Sequence, residues 1–193
     1  SNNGITYYEG NLLSPDFSLP AGYYSDTITL FIDHADPGVS VRYTLDGSEP
    51  TSNSPLVNGP IKLTNRSTDP NYFSMIPTNP GLDLTKPNFD TSKSDTRGWL
   101  PPYGNVFKIN VVKAKAFKSN MIASRTKTRS YIIDPLLEAR FNFPVISIST
   151  DEGNLFDNDT GIYVYGNVRP NDPFFEGNYS YNSDEWARNI YLE

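Results

Sequence analysis

A chain of 193 residues with 37% hydrophobic and 13% aromatic side chains can bury a real core, and is long enough for one domain with extra elements or for one domain with the beginning of another. Its net charge of -6 and sequence pI of about 4.8 argue against nucleic acid or an anionic membrane surface as a partner. Cysteine is absent, which excludes disulfides, thiolate metal sites and a cysteine nucleophile, and no apolar run reaches the ~18 residues of a membrane span.

The 13 tyrosines against 2 methionines, together with abundant Thr, Ser, Asn, Gly and Pro, are the composition of pleated strands joined by turns, so an all-β fold is expected. No basic-then-apolar segment opens the chain, so an exported protein would have lost its signal. A start at Ser1-Asn2-Asn3-Gly4 and a stop at Tyr191-Leu192-Glu193, inside a strand-like run, point to a piece of a longer protein.

Residues 27–32 alternate as a half-buried strand, Pro37-Gly38 turns the chain, and residues 39–45 form the next strand, so the two are expected to be antiparallel neighbours. Asp46-Gly47 ends the second strand, because glycine tolerates positive φ and the aspartate accepts from backbone N–H groups just downstream. Asp46 and Glu49 are read as turn chemistry rather than as site carboxylates. His34, the sole histidine, lies between Asp33 and Asp36 in a segment read as a solvated turn. With one histidine and no cysteine, histidine triads have a single possible base and zinc has too few ligands.

The segment from Leu63 to Val106 carries six prolines and no sustained period. Loops beyond ~15 residues in a compact domain are usually functional or disordered. Its Tyr72, Phe73, Phe89, Trp99 and Tyr103 are open to three readings: rings pinning the loop to the domain, a flat platform for a sugar, or a protein-docking surface. Trp99, Tyr103 and Tyr72 are the candidate ligand contacts, with Asn105, Asp95 and Arg97 as polar groups for sugar hydroxyls. Residues 107–117 follow as a strand with Val112, Ala114 and Ala116 on the core face and Lys113 and Lys115 facing solvent. Residues 126–133 form another strand, which Pro135 ends.

Farther on, residues 144–150 and 161–166 read as strands, and Asp157-Asn158-Asp159-Thr160-Gly161 as a tight turn between them. That turn has oxygen-bearing residues at alternate positions, as calcium loops do, but its glycine falls one place early for an EF-hand and Val168 occupies the twelfth position. The acceptor pattern for N-glycosylation occurs at Asn65, Asn158 and Asn178. No glycine-rich phosphate loop followed by lysine is present. Neither a catalytic residue, nor a metal site, nor a cofactor is indicated.

The stretch Tyr43-Thr44-Leu45-Asp46-Gly47-Ser48-Glu49-Pro50-Thr51, with Pro15-Asp16-Phe17, Ala21-Gly22-Tyr23-Tyr24, Gly59-Pro60-Ile61, the strand around Ala114 and Ser130-Tyr131-Ile132, resembles the chitobiase/β-hexosaminidase C-terminal-type domain. The resemblance covers residues 12–134, with the insert at about 64–106. It implies an immunoglobulin/fibronectin-like antiparallel β-sandwich in which Tyr43, Asp46, Gly47, Glu49 and Pro50 are structural, found as a non-catalytic accessory module of bacterial secreted and surface proteins. Residues 144–193, through Pro144-Val145-Ile146-Ser147-Ile148-Ser149, Gly161-Ile162-Tyr163-Val164-Tyr165-Gly166 and Glu185-Trp186-Ala187-Arg188, resemble the opening of the spore coat CotH family, and they are expected to pack on the sandwich edge. That family is similar to atypical protein kinases, but its nucleotide and metal residues lie beyond the part matched. These resemblances imply a monomeric spacer or targeting module at the cell or spore surface, with a polysaccharide or a coat protein as partner. Two alternatives stay open, a carbohydrate-binding module and the substrate-docking part of a CotH-like kinase.

Overall fold

The computed structural model describes residues 8–78, 99–136, 140–167 and 177–193. Among the described residues, ten strands and little helix make an all-β, immunoglobulin-like sandwich. Its main layer is a four-stranded sheet of β2 (Gly22–Tyr24), β8 (Lys127–Ile133), β7 (Asn110–Phe117) and β5 (Ser40–Thr44), side by side in that order. The other layer consists of two short ribbons, β1 (Asp16–Phe17) with β4 (Ile32–Asp33) and β3 (Ile28–Leu30) with β6 (Ile61–Leu63). A third ribbon pairs β9 (Ile148–Ser149) with β10 (Tyr191–Leu192).

Alternation sets the register of the main sheet. Ala114 lies opposite Tyr43 and Ala116 opposite Val41, so small side chains on β7 accommodate larger ones on β5. Leu30, Ile32, Ile61 and Leu63 from the ribbons meet Val41, Val112, Ala114, Tyr131 and Ile133 from the sheet in one core. Each large aliphatic chain removed from water contributes about 1.5–3 kcal/mol before conformational entropy is charged against it. Tyr131 is fully buried, its hydroxyl donates to the Leu19 carbonyl at 3.1 Å, and burial pushes its phenol well above the ordinary range.

Two expectations about pairing are corrected. The strands within 27–32 and 39–45 are not neighbours, because β3 and β4 pair with β6 and β1 while β5 pairs with β7. The apolar faces of these segments meet across the core instead of lying side by side, and an alternating pattern is the same in either case. The sheet is also not wholly antiparallel: β2 runs parallel to β8, with Gly22 opposite Tyr131.

The turn at 33–39 carries the chain from one layer to the other. His34 Nδ1 accepts from the Asp36 N–H at 3.0 Å, which leaves Nε2 to donate to the Leu13 carbonyl at 3.1 Å. The Asp36 carboxylate accepts from the Gly38 N–H and pairs with Lys118 at 2.6 Å, and these contacts hold it below the usual carboxylate range.

Contacts divide the chain into two compact units. The sandwich unit takes residues 1–66, 108–149 and 191–193. The other unit is assembled from 67–107 and 150–190. Where the first excursion leaves and re-enters the sandwich unit, Asn110 donates to the Thr64 carbonyl at 2.9 Å and Asn65 to that of Ile133 at 2.8 Å.

Candidate functional site

The signature turn of the sandwich uses its side chains on the protein itself. Asp46 accepts from the Ser48 hydroxyl at 2.6 Å and the Ser48 N–H at 3.0 Å, Gly47 adopts φ 87°, and the Thr44 hydroxyl closes the turn on the Ser48 carbonyl at 2.6 Å. The Ser48 hydroxyl and the backbone donors hold the Asp46 carboxyl below its ordinary value. Tyr43 lies in β5, and Pro50 is buried.

Glu49 does more than close a turn. Its carboxylate accepts from the Thr126 hydroxyl at 2.5 Å and from the Tyr191 hydroxyl, and lies 3.7 Å from the Lys113 ammonium. Burial pushes this carboxyl up, but the bonds from Thr126 and Tyr191 and the charges of Lys113 and Lys115 outweigh it and leave Glu49 below the usual range.

Lys113, expected in solvent, is 0% exposed. The β9–β10 ribbon covers the outer face of the main sheet: Tyr191 places its ring 4.5 Å from the ammonium, Ser147 meets Ser130 at 2.7 Å, and Arg129 pairs with Glu193 at 3.0 Å. The residues at 147–149 and 191–193 therefore sit on the sheet face and not on its edge. The ribbon turns a polar side to the sheet and leaves Ile148 and Leu192 outward.

In the second unit, a four-ring run joins its two chain segments. Tyr72 packs edge-on to Phe73 at 5.0 Å, Phe73 stacks on Phe156 at 5.8 Å and 13°, and Phe156 meets Tyr163 edge-on at 6.1 Å. The Tyr72 hydroxyl donates to Glu152 at 3.2 Å, and that bond raises the Tyr72 pKa. Tyr72 is 63% exposed and Tyr163 60%.

Local structure explains the placement of these rings. Phe73–Met75 forms a 3-10 turn closed by the Met75 N–H on the Tyr72 carbonyl at 2.9 Å. Asn71 braces it by donating to the Gly104 carbonyl at 2.8 Å and accepting from the Val106 N–H at 2.9 Å. On the other segment the helix Glu152–Phe156 is followed by the 157–161 turn, where Asp157 Oδ1 accepts from the Asp159 and Thr160 N–H groups and the Thr160 hydroxyl at 2.8–3.0 Å. Those donors, the Thr160 N–H foremost, lower the Asp157 pKa. The turn folds the chain back so that the Ile162 and Tyr163 N–H groups reach the Asn154 and Leu155 carbonyls, which sets Tyr163 beside Phe156. It follows a helix and does not join two strands, and residues 161–166 are not a strand.

Of the three candidate ligand contacts, Tyr103 is fully exposed, Trp99 is half-buried and Tyr72 belongs to the ring run. No ring contact joins these three among the described residues. Phe89, Asp95, Arg97 and Val168 lie outside the described residues. Sequence reasoning missed Tyr163, Phe156 and Glu152, for which proximity to Tyr72 was the needed signal and no spacing supplies it. Asn178 is 0% exposed and donates to the Asn158 carbonyl at 3.0 Å, so it is not open to glycosylation in the folded chain. A hollow of about 230 Å³ beside β5 is lined partly by His34, whose ring nitrogens are both engaged. No group of three or more His, Asp or Glu suited to a metal occurs among the described residues, and no helix there is long and apolar enough to cross a membrane.

The fold defines an all-β, immunoglobulin-like class of protein. Residues 19–76 match the family model of the chitobiase/beta-hexosaminidase C-terminal domain, which covers under half of the chain and includes the signature turn. That match associates this part of the chain with carbohydrate-related accessory domains. Comparison with curated proteins and with solved structures gave no match. The CotH-type resemblance of residues 144–193 rests on the sequence alone.

Proposed function

We propose that this chain is a non-catalytic accessory module of a bacterial secreted or surface protein of CotH type, which spaces or targets its neighbour toward carbohydrate. The family match over the signature turn carries this reading, because the carboxylates in that turn, Asp46 and Glu49, are engaged with Ser48, Thr126 and Tyr191. Incubation with a chromogenic N-acetylglucosaminide, and separately with ATP and a protein acceptor, should give no turnover by this chain. Catalytic release of the chromophore or transfer of phosphate would overturn the reading.

The exposed aromatics of the second unit favour carbohydrate targeting over a passive spacer. Retention of the chain on insoluble polysaccharide is the expected outcome. A chain that passes every such matrix unretarded is a spacer.

A further inference from the structure

The rings of Tyr72, Phe73, Phe156 and Tyr163 are fixed against one another, yet Tyr72, Phe73, Tyr163 and the adjacent Met75 keep large parts of their surface in water. A ring run whose purpose was only to hold the loop would bury these faces. Rings already held by their neighbours lose little side-chain freedom when a ligand stacks on them. At the Tyr72 end, Glu152 receives one hydrogen bond from the phenol, while an ionised carboxylate has about four acceptor sites, so capacity remains for hydroxyl donors. Flat apolar faces beside a hydroxyl acceptor are complementary to a pyranose, which has C–H groups on its faces and hydroxyls at its rim.

Charge narrows the ligand. Glu152 stands at the Tyr72 end, Asp157 follows the same helix, and the whole chain carries -6. A sulfated or uronic acid polymer would meet like charge. We propose that the run from Tyr72 to Tyr163, with Glu152 beside it, is a binding site for a neutral polysaccharide chain. The proposal rests on the carbohydrate-associated reading above and gives that reading a place and a ligand class.

Calorimetric titration of the 193-residue chain with cellohexaose, N-acetylchitohexaose and heparin tests it. Saturable binding of at least one neutral hexasaccharide is expected, with none of heparin. Tyr163→Ala and Tyr72→Ala should each weaken it about tenfold or more, equivalent to ~1.4 kcal/mol. Tyr72→Phe, which keeps the ring and removes the bond to Glu152, should weaken it less and covers the case in which an alanine variant fails to fold. Phe31→Ala, an exposed ring in the sandwich unit, should leave it unchanged. Failure of both neutral hexasaccharides to bind overturns the site, as does heparin binding in their place. Neutral-sugar binding that survives folded Tyr163→Ala and Tyr72→Ala also overturns it while sparing the carbohydrate-associated reading, and the turnover assays decide separately whether the chain is non-catalytic.

Discussion

The ammonium of Lys113 stands 4.5 Å from the ring centre of Tyr191 and 0% of the lysine is exposed, although β7 presents it on the face opposite the core. A buried ammonium is costly unless charge and π density surround it. Glu49 supplies the charge at 3.7 Å and Tyr191 the ring, so the glutamate of the signature turn and the last strand of the chain stabilise one cation together.

Because the carboxylate keeps part of its surface in water and the ammonium keeps none, the two partners are unequal. Glu49→Gln should cost about 1–3 kcal/mol, more than Lys113→Met, since it takes a carboxylate away from a fully buried ammonium while Lys113→Met leaves a carboxylate that still reaches water. The double variant should be more stable than the sum of the single effects implies. Urea denaturation of the four proteins checks this, and additive losses would show that the pair is not coupled.

Acid should act through the same carboxylate. The folded-state pKa of Glu49 lies below its ordinary 4.5, so its stabilisation is present above that value and is lost as pH falls through the lower folded value. Asp46, Asp134 and Asp157 are lowered from 3.8 and act in the same direction. The wild-type melting temperature should fall below pH about 4.5, and Glu49→Gln should flatten part of that fall. Melting curves for both proteins at pH values from about 2 to 7 test it.

Gly161 closes the 157–161 turn with its N–H on the Asp157 carbonyl at 2.7 Å, and a Cβ there would lie 2.5 Å from that oxygen. Gly161→Ala should cost about 1–3 kcal/mol and shift Tyr163 from Phe156. The expected readout is earlier proteolysis within residues 150–167, with the sandwich core still protected from hydrogen exchange. Unchanged proteolysis would show that the turn tolerates the methyl group.

Gly166 adopts φ +68°, and its Cβ would meet the Asn178 amide at 2.1 Å. Gly166→Ala should therefore destabilise the second unit, and Asn178→Ala should recover part of the loss while forfeiting its bond to Asn158. A thermal shift of the single variant that the double variant does not lessen would place the cost in backbone strain alone.

Strand identity was legible where alternation is strong. Val112, Ala114 and Ala116 are buried as their spacing predicts, and Asp46-Gly47 makes the expected turn. Partner choice was not legible, because Leu30 and Val41 pack across a core that alternation cannot distinguish from a shared sheet. The burial of Lys113 depends on Tyr191, far along the chain, and a period-two pattern carries no information about what covers a face. The site was half visible: Tyr72 stood out as an aromatic in a long insert, whereas Phe156 and Tyr163 join it through a five-residue helix and an aspartate turn, elements too short to leave a periodic trace.

The parallel pairing of Gly22 with Tyr131 has a consequence for synthesis on the ribosome. While the intervening chain is being made, β2 has no partner in the main sheet and keeps an unpaired edge, the condition under which strands associate between chains. Closing that pair spans most of the sandwich, so the sheet acquires its final edge late and at the entropic cost of a long loop. A nascent chain halted before β8 emerges would present an open sheet to chaperones, and one long enough for Ile133 to have cleared the ribosome would have closed the β2–β8 pair.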